Sequence, residues 1–94
     1  MVNYEGIFTI ITFKSSSEYF FKEECGLKSN TVRKIDTDER FSILKKMSDL
    51  LHYLLVIEIV LVSPLDGSII SSFRRSVSDV SYFDDYVIIS WCYL

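Results

Sequence analysis

Residues 50–62 read LLHYLLVIEIVLV, and this run constrains the fold more than any other stretch of the chain. It is thirteen residues long and contains His52 and Glu58. A helix that crosses a bilayer needs about 20 consecutive apolar residues. The run is therefore read as a strand over 53–62, buried on most of its surface and entered from a helix end. A strand covered on both faces needs sheet neighbours and a packing layer, so the rest of the chain must supply both.

It does so in an order that can be read off its punctuation. Residues 7–13, IFTIITF, are β-branched and aromatic and read as a strand. Ser15 and Glu18 then have capping-box spacing, and Gly26 is a helix stop, which predicts a short helix over 16–25. Residues 29–35 read as a short extended segment. Asp36 and Glu39 again have capping-box spacing, and Phe41, Leu44, Met47 and Leu51 recur at three- or four-residue steps. That pattern predicts a helix from about 37 to 50, with His52 placed favourably against its C-terminal dipole when protonated. After the buried strand, Pro64 and Asp66-Gly67 predict a hairpin turn. A strand is expected over 68–75 that continues over 76–82, then a turn at Asp84-Asp85 and a last strand in YVIISWCYL, which makes three or four strands after the second helix. Consecutive strands joined by hairpins favour an α+β fold, mostly antiparallel, in one domain over 1–94. At this length the sheet either curls or closes into a small barrel, with the two helices at its side.

Composition narrows the partners. The chain has 94 residues, 10 Lys and Arg against 13 Asp and Glu, and a formal net charge of −3. This excludes a general polyanion binder, which would be basic, but leaves room for a local basic pocket. Seven Phe, six Tyr and one Trp are core residues first. A stacking platform for a base would need one of these rings exposed beside Arg or Lys. Cys25, Cys92 and His52 are too few to make a zinc site, which takes about four ligands, and no metal or cofactor is expected. The opening residues lack a basic segment before an apolar run, the pattern of a secretory leader. On that reading the chain is cytoplasmic and both cysteines are reduced and mostly packing, although a disulfide between them is not forbidden.

One octet stands out. Residues 26–33, GLKSNTVR, fit G-x-K-x-x-T-x-R through Gly26, Lys28, Thr31 and Arg33. This resembles the signature of the ASCH domains of the PUA-like superfamily. The flanks resemble that family too: a strand ending in ITF, a short aromatic helix that stops at the motif glycine, VIEIV at 56–60 as a central strand with its acidic residue, and VIISW as a closing strand. Where the family follows its motif with a phenylalanine–x–x–glycine–aspartate turn, residues 36–48 here read as an inserted helix.

The resemblance implies a PUA-like β-barrel with a cleft for RNA or a modified nucleoside. It implies that Lys28, Arg33 and Lys34, helped by Arg74 and Arg75, bind the ligand. Some compact members of the family hydrolyse the acetyl amide of acetylated cytidine. By that resemblance Thr31 would be the nucleophile, Lys28 the base, and a glutamate the third residue. The family's glutamate lies in a helical segment after the central strand, where this chain has its Pro-Leu-Asp-Gly turn, so Glu58 and Asp79 are the nearest substitutes. Glu58 has apolar neighbours on both sides, and a buried charge must be paired; Arg33, Arg74 or Arg75 is the expected partner.

The same residues have plainer readings. Lys28 can be a solvated lysine and Thr31 a β-compatible side chain. Arg33 and Lys34 can form a surface network with Asp36, Asp38 and Glu39 worth ~0–1 kcal/mol per pair. A third class of function is a small acidic interaction or inhibitor protein, such as phages encode, whose acidic face blocks a basic partner. Acidic groups at Glu23-Glu24, Asp36–Glu39 and Asp84-Asp85 are scattered rather than dense. An open sheet edge would also permit a homodimer in place of a monomer. Convergence of Lys28, Thr31 and Arg33 on one pocket separates the first two readings from the third.

Overall fold

The computed structural model describes residues 1–47 and 54–92. Among them are strands β1 (Val2–Glu5) and β2 (Phe8–Ser15), helix α1 (Ser17–Glu24), strand β3 (Asn30–Lys34), helix α2 (Glu39–Met47), and strands β4 (Leu55–Val62), β5 (Ile69–Phe83) and β6 (Tyr86–Trp91). The fold is α+β. The end expected for the second helix at 50, and His52 with it, lie outside the described residues, as do the last two residues of the chain.

The strands form one sheet in the order β1-β2-β4-β5-β6-β3. The sheet is mixed, not wholly antiparallel: β2 and β4 run parallel, and the other neighbours pair antiparallel. The parallel pair is forced by the long excursion between the two strands, which carries α1, β3 and α2. The order stays open from β1 to β3, so the sheet does not close into a barrel. It does curl. The stretch expected as a strand over 68–75 and continuing over 76–82 is a single strand, β5, whose first part pairs with β4 and whose second part pairs with β6, with the register shifting between Val77 and Asp79. A bulge of this kind bends a strand and raises its twist.

β1 is the element that the sequence conceals. Asn3 and Glu5 break its hydrophobic pattern, because it is an edge strand with exposed side chains. It folds back on β2 through Gly6, whose φ of 61° suits the first position of a two-residue hairpin loop.

β4 is the buried centre. Leu55, Ile57, Ile59 and Leu61 face one way and join Ile11, Phe13, Val87, Ile89 and Trp91 in the core. Both helices cover this face. Phe20 of α1 packs on Phe73 with ring centroids 5.3 Å apart, and Phe41 of α2 meets Phe13 edge-on at 5.8 Å. The helix starts differ from the expected boxes by one or two residues. Ser16, not Ser15, precedes α1 and makes no side-chain cap, while Ser15 belongs to β2 and turns its hydroxyl toward Glu23 at 3.5 Å. At α2 the carboxylate that accepts from the helix start is Asp38, bonded to the Arg40 amide at 3.0 Å; Asp36 accepts only from Thr37. Cys25 and Cys92 are free thiols and both are exposed, so neither packs in the core as the sequence reading had it.

Asp38 carries a pH-dependent share of stability. Its side-chain bond with Arg40 holds the carboxyl below its ordinary value. A carboxyl lowered on folding stabilises above its unfolded pKa, near pH 4, and that contribution vanishes as pH falls through the lower folded value. Asp38→Asn is expected to melt below the parent at pH 7 and to converge with it once the pH drops beneath the ordinary carboxyl range. Thermal unfolding of both proteins across pH reads this directly.

Candidate functional site

The excursion between β2 and β4 builds the site. The chain leaves β2 at Ser15, forms α1, and reverses at Gly26, whose φ of 88° is open to glycine without the penalty a Cβ would bring. The reversal is closed by the Lys28 amide, which donates to the Lys22 carbonyl at 3.0 Å. β3 then pairs with β6 at the far end of the sheet order. Because the sheet curls, β3 comes back beside the C-terminal end of β2. One side chain bridges them: an Arg33 terminal nitrogen donates to the Lys14 carbonyl.

Between these elements lies a cleft of about 420 Å³. Lys28, Thr31 and Arg33 all line it, together with Lys14, Ser15, Tyr19 and Glu23. Thr31 and Arg33 share a face because side chains alternate along a strand. Thr31 is buried, and its Oγ1 accepts a hydrogen bond from Arg33 Nε at 2.9 Å. Lys28 Nζ donates to Glu23 Oε2 at 3.0 Å and to the Asn30 carbonyl at 3.0 Å. Glu23 is 1% exposed, a carboxylate held in the wall by Lys28 and Ser15. Tyr19 is 51% exposed and lies with Lys28 Nζ 5.4 Å from its ring centre. Arg33 is half-buried with its guanidinium 5.0 Å from the Phe13 ring centre. Burial pushes its pKa down from the ordinary value, Glu23 pulls it up, and Arg40 pushes it down.

Glu58 stands elsewhere. The register places Thr12, Glu58 and Arg74 side by side across β2, β4 and β5 on the outer face of the sheet. Glu58 accepts from Thr12 Oγ1 at 3.0 Å and from Arg74 Nε at 2.9 Å, and Arg74 also reaches Glu5 at 2.9 Å. Arg74 is thus the partner of Glu58. Arg75 donates to the Glu24 carbonyl at the end of α1 and lies 4.8 Å from the Phe73 ring centre, so it ties β5 to a helix end. Lys34 is exposed on β3 and Asp79 on β5, where Asp79 accepts from Ser81. None of these five lines the cleft.

The carboxylate in the cleft is Glu23, which the sequence reading counted only as part of an acidic pair. Its signal was the three-residue step from Phe20, which puts both on the buried face of α1. Tyr19 had no such signal, since its exposure depends on what α1 packs against. Among the described residues no three His, Cys, Asp or Glu side chains group as metal ligands, and no helix is long and apolar enough to cross a membrane.

The cleft can donate hydrogen bonds from Lys28 and Arg33, accept at Glu23, and present the flat face of Tyr19. No protein-family model matches the chain, and no curated protein matches it.

Proposed function

We propose that this chain is an ASCH-type, PUA-like domain that binds RNA or a modified nucleoside in the Lys28–Thr31–Arg33 cleft. The observation that carries the reading is convergence: three side chains of one octet line a single concave site with a buried carboxylate and an exposed aromatic ring. Tyr19 meets the condition for a stacking platform, a ring open to solvent beside a lysine. Lys28 and Glu23 offer a donor and an acceptor to the edge of a base stacked there. The acidity of the whole chain weakens non-specific attraction and leaves recognition to the pocket.

Calorimetric titration with ribonucleosides, acetylated cytidine and short single-stranded RNA tests this. At least one ligand is expected to bind, and Lys28→Gln or Arg33→Gln is expected to weaken it by about tenfold with an unchanged circular dichroism spectrum. Equal binding by both variants and the parent removes the ligand from this cleft.

A second reading, hydrolysis of the acetyl amide, is favoured by one observation: Glu23 supplies a carboxylate beside Lys28. Against it, both Lys28 contacts are donations to oxygens, and Lys28 and Thr31 make no hydrogen bond to each other. A base must offer a lone pair to the nucleophile, so Lys28 would have to leave Glu23 first. Incubation with acetylated cytidine decides it: no deacetylation above a Lys28→Ala control rejects the enzyme.

A further inference from the structure

A second groove, of about 300 Å³, adjoins the cleft and is lined by Phe13, Lys14, Arg33, Asp36, Arg40 and Phe41 among others. Lys14 and Arg33 line both spaces, so they stand at the junction. We infer that the ligand enters as a phosphate ester, its phosphate seated between Lys14 and Arg33 and its nucleoside in the cleft beside Tyr19. This rests on the reading of the cleft as a nucleoside site and names the class of ligand it selects.

Four cationic side chains line the two spaces: Lys14, Lys28, Arg33 and Arg40. Lys28 is paired with Glu23, and Arg40 is paired with Asp38 at 2.8 Å. Arg40 is held from three sides: Nε and one terminal nitrogen bond Asp38, and the other bonds the Thr12 carbonyl. Lys14 and Arg33 have no carboxylate within ion-pair distance among the described residues. Lys14 is exposed at the end of β2, and its ammonium makes no hydrogen bond or ion pair among the described residues. Arg33 spends Nε–H on Thr31 and one terminal N–H on the Lys14 carbonyl, which leaves three N–H groups on its terminal nitrogens. A half-buried guanidinium that no carboxylate touches, beside a second arginine, gains from an anion seated against it. Arg40, already paired with Asp38, adds positive field there. A phosphate fits this better than a carboxylate, because its three oxygens can take the Arg33 donors and the Lys14 ammonium together.

The test compares the four ribonucleosides with their 5′-monophosphates by calorimetry at low salt, in the parent and in Lys14→Gln. For the base that binds, the monophosphate is expected to bind about tenfold tighter than the nucleoside, as one added charge-assisted contact gives. In Lys14→Gln that ratio is expected to fall toward one. A dinucleoside monophosphate that gains as much as the 5′-monophosphate identifies the seat with an RNA backbone; one that gains nothing assigns it to a free nucleotide. Two results overturn the phosphate seat while leaving the cleft reading intact: equal affinity for nucleoside and monophosphate, or a ratio that survives Lys14→Gln. Inorganic phosphate binding as tightly as the monophosphate overturns it as well. If neither nucleosides nor nucleotides bind, and RNA does not, the seat and the proposed function fall together.

Discussion

Phe13→Ala is expected to cost about 3–5 kcal/mol of unfolding free energy, the usual range for a large aromatic removed from a core. A domain of ordinary stability holds ~5–15 kcal/mol in total, so the loss is a large share of it. Phe13 is 2% exposed and meets Phe41 edge-on. It also carries two cations: the guanidinium carbon of Arg33 lies 5.0 Å from its ring centre and that of Arg40 4.4 Å. The ring is thus the support on which the cationic side of both spaces is placed, and each such contact adds ~0.5–2 kcal/mol. Phe13→Leu separates packing from positioning. It keeps an apolar side chain three carbons smaller and is expected to cost less than Phe13→Ala, yet it removes the π face. Denaturant unfolding should find Phe13→Leu folded, while titration with the ligand that the parent binds should find it weakened. Unchanged affinity in Phe13→Leu would mean that the ring plays no part in setting the arginines.

The Glu23–Lys28 pair yields the second large effect. Removing one partner of a fully buried pair costs about 3–5 kcal/mol, because a charge is left without compensation. Here the Lys28 side chain is 29% exposed and can turn toward water, whereas Glu23 is 1% exposed. Glu23→Ala is therefore expected to cost less than the full range, about 2–3 kcal/mol. The double variant Glu23→Leu with Lys28→Met is expected to lie within about 1 kcal/mol of the parent, since apolar side chains of similar volume often replace a buried ion pair without loss. The same double variant is expected to bind no nucleoside. Stability retained with binding lost would identify the pair as one kept for the ligand. A double variant as unstable as Glu23→Ala would show instead that the pair serves the fold and that its place in the cleft is incidental.

Much of the candidate site was legible in the octet. Gly26 marks the reversal after α1, and the two-residue step from Thr31 to Arg33 puts both on one face of β3. The carboxylate was not. Glu58 sits among apolar neighbours, and a nearly continuous apolar run does not say which side chains face the core. The register with Thr12 and Arg74 decides it, and those pairings reach 46 and 16 residues along the chain. Glu23 was hidden for the opposite reason, because its neighbour Glu24 is exposed and the pair reads as a solvated acidic step.

What the sequence determined by itself was local. The helix stop at Gly26, the reversal around Gly67 with φ of 74° and the turn at Asp84 follow from backbone preferences within a few residues. What the tertiary structure decided was where β3 goes and how far the sheet curls. β3 pairs beyond β6, β5 bends at the bulge between Val77 and Asp79, and only then does Arg33 reach the Lys14 carbonyl nineteen residues back. Curvature accumulates over the whole sheet through twist and bulges. No short stretch of the chain encodes it, so the cleft exists only once every strand has found its neighbour.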